Sequence, residues 1–263
     1  MKVTHQAQQF IDNSLFTTGL SVSTIEGYSL SSAEASALKS HLKNDALSYI
    51  YSSIVSVGDA TLGIRKEMLT WATVKLYYAT FYALRSLLAV NGTCIFYYRR
   101  PSNKNTPFIL SAQPGQMPKK ASSGQTHKLV LSEFKKRNFE PRLLSQLIGV
   151  QEPLDWLVEK REEANYRIAK FSEPYIPKHF EKIIDSGFRR SIREYLCDTS
   201  DLYTFDPDHA ILAYPLRVIQ TAYKQLLISG DFSLKNDEVS YLCKLFTDQN
   251  GPIPEIHNLF KNP

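Results

Sequence analysis

Cysteine is scarce: Cys94, Cys197 and Cys243 are the only three in 263 residues, and they form no Cys-x-x-Cys or Cys/His ligand spacing. A disulfide framework and a structural zinc site are not expected, and a reduced, cytoplasmic setting is the default. The histidines are as dispersed as the cysteines, so neither a metal nor a cofactor is anticipated. No glycine-rich phosphate cradle, nucleophile elbow, or Ser or Cys nucleophile with a recognisable base is present, and the Ser-Ser-Gly at 122–124 is too short for a P-loop. Long apolar runs are missing too. The first sixteen residues hold no continuous apolar stretch, and the longest such run, around 76–90, is broken by Thr80 and Arg85. The expectation is neither a signal peptide nor a membrane span.

What is present has the composition of a soluble globular chain, with 43% hydrophobic and 22% charged residues and a formal net charge of +5. That excess permits an acidic partner without demanding one. Residues 1–30 read as a short helix and an irregular lead-in. At Ser31-Ser32-Ala33-Glu34 the serine and glutamate have capping-box spacing, and a helix follows towards Val57, broken or kinked at Gly58-Asp59. A second helix over 65–90 is apolar nearly all round, so it should be central, and Asn91-Gly92 suits its end. Beyond it, 94–100 and 106–112 favour a β-hairpin, and 113–125 reads as a mobile loop rich in Pro, Gly, Ser and Lys. Thr126 can cap a helix over 127–136. Shorter helices follow over 142–149, 156–171 and 178–196, the last weakened by Gly187. The tail, 199–263, reads as a helical extension with Pro215 inside one helix and a last helix over 233–246.

The segment 156–171, WLVEKREEANYRIAKF, packs charge densely about one Asn-Tyr pair, and as a helix it puts Arg161 and Asn165 on one face. Taken with YYATFYALRSLLAVNG at 77–92, Gly-Gln-Thr-His at 124–127 and the helix HKLVLSEF, the Arg161-x-x-Ala164-Asn165-Tyr166 motif resembles the HEPN superfamily over roughly residues 47–184. The resemblance implies an all-α, HEPN-like helical bundle over 31–198, here with an inserted hairpin and loop at 93–126. It implies a homodimer through the helices carrying Tyr78 and Arg161, and an RNA- or nucleic-acid-associated role in a prokaryotic toxin–antitoxin or phage-defence system. Catalytic members follow the Arg, after four to six intervening residues, with a His, and this chain has Tyr166, Arg167 and Ile168 at those positions. The chain therefore resembles a non-His branch, a degenerate ribonuclease if a ribonuclease at all. Tyrosine titrates far above neutrality and is a poor substitute for imidazole.

Candidate catalytic residues are Arg161, Asn165 and Tyr166, with His127 as a histidine that could supply the missing imidazole in trans. The plainer readings are an ion pair of Arg161 with Asp155, Glu159 or Glu162, a hydrogen-bonded lock at Asn165 and Tyr166, and a capping role for His127. Candidate nucleic-acid contacts are Arg99, Arg100, Lys119, Lys120 and Arg167, with Tyr97, Tyr98 and Phe108 interleaved as stacking surfaces. Arg85, a cation inside an apolar helix, requires a partner. The rival to a nucleic-acid role is a catalytically silent module that binds a protein from the same operon, such as a nucleotidyltransferase or an NTPase.

Overall fold

The longest helix, α3 (Ser32–Arg65), starts where the capping box is made. Ser31 Oγ accepts the Glu34 amide at 3.3 Å, and Glu34 Oε2 accepts the Ser31 amide at 2.8 Å. The Tyr28 hydroxyl donates to the other carboxylate oxygen, and these bonds outweigh desolvation to hold the Glu34 carboxyl below its usual range. Replacing Ser31 with alanine should lower the unfolding free energy by about 1 kcal/mol in urea titration. A change below about 0.3 kcal/mol would mean that water replaces the cap.

The computed structural model describes residues 5–16, 19–99, 105–122, 125–167, 169–230 and 233–260. Arg100, residues 101–104 between the two expected strands, and Gly124 lie outside them. The fold is mainly α with a small antiparallel sheet. It divides into two compact units, residues 1–49 with 84–139, and residues 50–83 with 140–263, and both α3 and α4 (Leu69–Val90) contribute to each. No helix among the described residues is long and apolar enough to cross a membrane.

The first unit holds α1 (Gln6–Phe10), a π turn at Ile11–Leu15, α2 (Val22–Glu26), the three-stranded sheet and α5 (Thr126–Arg137). Strand β1 (Thr93–Arg99) pairs antiparallel with β2 (Asn105–Ser111) in the register Phe96↔Phe108, as the alternation of β-favouring residues predicts. Both phenylalanines are fully buried and stacked, and Phe16 stacks on Phe96. Burial of this kind contributes roughly 1.5–3 kcal/mol per side chain. On the free edge of β1 the Gln8 side chain stands in for a strand: its Nε2 donates to Tyr97 O and its Oε1 accepts the Tyr97 amide. The segment expected to be an open loop carries a third strand, β3 (Lys119–Lys120), because the Ile109 and Phe108 backbone offers it an edge. Helix α5 starts one residue earlier than predicted, and Thr126 is not its cap: its hydroxyl bonds the Tyr97 hydroxyl instead.

The second unit is built on α6 (Pro153–Glu162), α7 (Lys178–Asp185), α8 (Phe188–Cys197), α9 (Ala210–Ile228) and α10 (Asn236–Leu245). Helix α9 is buried along most of its length with Pro215 inside it. Four expectations are corrected here. Helix α3 continues through Gly58-Asp59 to Arg65. The segment 156–171 is not one helix but α6 followed by a π turn at Glu163–Arg167. Residues 142–149 form a 3-10 turn at Pro141–Leu144 and an isolated bridge between Ile148 and Gln151. The predicted helix 178–196 is two, α7 and α8, because Gly187 adopts φ 85, which a glycine takes without strain. Strands β4 (Thr247–Asp248) and β5 (Gly251–Pro252) make a two-residue ribbon, held by Arg189, which donates to Asp248 and to the Gly251 and Pro252 carbonyls.

Candidate nucleic-acid interface

Arg161 sits near the end of α6, where its guanidinium lies 4.6 Å from the centre of the Tyr77 ring on α4. Nη2 donates to Glu162 Oε1 at 3.4 Å, and Nε is buried without a hydrogen-bond partner. The cation is therefore tied by a stacked ring and one carboxylate, which is the plainer of the two roles read from the sequence. Burial pushes the Tyr77 hydroxyl up to about 12, although Arg161 pulls the other way, so Tyr77 stays protonated at neutral pH.

After Glu162 the chain widens into the π turn. The i→i+5 pairing there breaks the four-residue rhythm, so Arg161 and Asn165 no longer share a face by spacing alone. Asn165 is half-buried, whereas Tyr166 is 76% exposed. Arg167 is exposed as well, with Glu162 at 3.6 Å and Glu159 at 4.0 Å, distances at which an exposed ion pair contributes little.

The chain beyond the turn carries a feature that the sequence reading passed over. Phe171, Tyr175 and Ile176 are all exposed, and Phe171 meets Trp71 edge-on with 5.9 Å between ring centres. Glu173 fixes this contact: its carboxylate accepts the Thr70 amide at 2.7 Å and the Thr70 hydroxyl at 2.6 Å, at the start of α4. Burial pushes the Glu173 carboxyl up, and the Thr70 and Ser172 bonds outweigh it, so it sits below the usual range. Lys170 and Lys178, both exposed, flank the aromatic residues. Sequence periodicity missed the group because the helix over 156–171 was expected to end there, and residues 172–177 carry no periodic pattern. Aromatic residues next to lysine and proline were the available signal.

His179, on α7, has no metal-ligand spacing to another histidine or cysteine in the sequence. In the structure its Nε2 lies 3.3 Å from Thr73 Oγ1, and Thr73 and Tyr77 are four residues apart on one face of α4. Burial, with the Lys160 ammonium adding to it, pushes the His179 imidazole down to about 4, so it is neutral at physiological pH.

The other expected residues lie in the first unit. His127 is the second residue of α5 and half-buried, Arg99 ends β1 and is exposed, and Lys119 and Lys120 are exposed on β3, where the Lys120 amide donates to Glu26. Arg161, Asn165, Tyr166 and Arg167 belong to the second unit. Among the described residues no group of His, Cys, Asp and Glu is placed to hold a metal ion. Comparison with protein-family models, with curated proteins and with solved structures finds no match for this chain.

Proposed function

We propose that this chain is a HEPN-like, nucleic-acid-associated component of a prokaryotic toxin–antitoxin or phage-defence system, and that it holds single-stranded RNA without cutting it. The observation that carries the reading is the run from Tyr166 to Lys178, where Tyr166, Phe171 and Tyr175 stand exposed among Arg167, Lys170 and Lys178, with Trp71 against Phe171. Aromatic faces take bases of any sequence, and neighbouring cations take the phosphates between them. Arg161, packed on Tyr77, ties the start of this run to α4. Cleavage is not part of the reading. The positions after Arg161 offer a tyrosine and an arginine instead of an imidazole, and the nearby His179 is half-buried and a weak base.

The test is an electrophoretic shift of labelled single-stranded RNA at low and moderate salt, with cleavage read on the same gel. Tyr166→Ala, at an exposed position, should leave folding intact and weaken binding about tenfold, the effect of losing one stacked base. Arg167→Ala should weaken binding across sequences and lower the salt slope by about one phosphate. If neither wild type nor variant shifts the RNA, the proposal fails. The exposed Met68, Trp71 and Ile176 would then favour the rival, a docking face for a partner protein.

A further inference from the structure

The formal charge of +5 is not spread evenly over the chain. Residues 1–49 and 84–139, the first unit, hold 13 Lys and Arg against 5 Asp and Glu, a net +8. Residues 50–83 and 140–263 hold 18 against 21, a net −3. The acids of the first unit are also engaged by its own donors. Asp45 and Glu133 are buried, the former accepting the Gln6 and Ala7 amides and the latter paired with Arg137 at 2.7 Å. Glu34 closes the capping box, Asp12 accepts from Gln8 Nε2 at 2.8 Å, and Glu26 accepts the Lys120 amide at 3.0 Å.

Helix α5 gives this charge a geometry. Leu129, Val130, Glu133 and Phe134 are buried, whereas Lys128, Ser132 and Lys136, each four residues from the next, are exposed along the outer face. Lys128 and Lys136 are thus about 12 Å apart along the helix, with no carboxylate on that face. Lys119 and Lys120 on β3 are exposed a few residues before α5 begins.

What the first unit lacks is a surface for bases. Tyr98 and Phe108, which the sequence offered as stacking surfaces, are buried, and Tyr97 is half-buried with its hydroxyl on Thr126. Among the described residues, no Phe, Tyr or Trp of this unit is exposed. Single strands are held by stacking as well as by charge, so this face suits a polyanion whose bases are already paired. B-DNA has a major groove about 12 Å wide that admits a helix, whereas the major groove of duplex RNA is deep and too narrow. We propose that the first unit docks on double-stranded DNA, with α5 against the major groove, Lys128 and Lys136 on phosphates of its two walls, and Lys119 and Lys120 on the adjoining backbone. Phosphate contacts carry no sequence information, so the docking is independent of sequence. It stands on other residues than the single-stranded RNA reading and does not require it.

Fluorescence anisotropy of a labelled DNA duplex of about 20 base pairs, titrated with the full chain between about 50 and 200 mM salt, tests this. At the higher salt the Kd should lie at roughly 1–100 μM, with a logarithmic salt slope of about −3 to −4 for four phosphate contacts. Lys128→Gln combined with Lys136→Gln changes two exposed residues, so the unfolding midpoint should hold while the slope shrinks by about 2 and binding at the lower salt weakens at least about tenfold. The same double variant should keep the single-stranded RNA shift of wild type, which separates this surface from the one on the second unit. Duplex RNA of the same sequence should bind at least about threefold more weakly than the DNA. The inference is overturned if the DNA duplex does not bind at the lower salt, if the double variant keeps the wild-type slope, or if duplex RNA binds as tightly as DNA, which would mean that α5 enters no groove.

Discussion

Gly58→Val should destabilise the protein by about 3 kcal/mol, and Gly58→Ala by about 1 kcal/mol, in chemical denaturation. Two effects of opposite sign compete. Gly58 lies in the interior of α3 with ordinary helical φ, so by propensity alone alanine should stabilise it by about 1 kcal/mol. But a Cβ there would lie 2.9 Å from Leu245 Cδ1, 3.0 Å from Leu245 Cβ and 3.3 Å from Phe246 Cζ. The Leu245 methyl can swing away, whereas its Cβ is fixed to the end of α10. Phe246, fully buried and stacked on Phe260, has nowhere to go. Overpacking in such a core costs about 1–3 kcal/mol, which outweighs the propensity gain for alanine, and the extra methyls of valine enlarge it. The ribbon formed by β4 and β5 follows Phe246 directly, so the strain should also loosen the Arg65 and Arg189 pairs to Asp248. If Gly58→Ala raises the unfolding free energy instead, the close approach of α10 to α3 is not as described.

The same glycine shows where sequence reading stops. Local rules located what local physics decides: the capping box at Ser31 and Glu34, the halt at Asn91-Gly92 where Gly92 takes φ 75, and the pairing of β1 with β2. Gly58 looked like a break because its reason lies nearly two hundred residues away, in Leu245. The π turn after Glu162 was invisible for a related reason, as it has the composition of the helix it ends. The candidate interface was half legible. Arg161, Asn165, Tyr166 and Arg167 lie within seven residues of one another and carry their own signal, while the bond from Thr70 to Glu173 that accompanies the meeting of Phe171 and Trp71 is a tertiary event. The Arg85 cation, which required a partner, donates to the Tyr49 hydroxyl at 2.6 Å and covers the Tyr49 ring.

His179 should make the protein lose about 3 kcal/mol of stability between pH 6.5 and pH 4, more than any group read from the sequence would suggest. The Thr73 hydroxyl donates its hydrogen to Leu69 O at 3.0 Å, so towards His179 it can only accept. The imidazole hydrogen therefore sits on Nε2, and Nδ1 is the atom that a second proton must enter. That proton would place charge in a largely desolvated site under the field of the Lys160 ammonium, which is why the folded-state value falls to about 4 from an ordinary 6.5. The unfolded chain binds this proton more readily than the folded one throughout that interval, so stability is full above pH 6.5 and falls as pH drops towards 4. Carboxyl groups held low in the fold, Glu34, Glu173 and Asp198 among them, act in the same sense, but only from the ordinary carboxyl range downward. His5, lowered as well, leaves a residual slope in the histidine window. Denaturation midpoints of wild type and His179→Gln, collected from pH 7.5 to pH 4.5, isolate the group. The variant should be nearly flat where the wild type declines, and the two curves should converge as pH falls. Parallel curves would mean that the imidazole is solvated in the folded protein and that α7 does not close over Thr73.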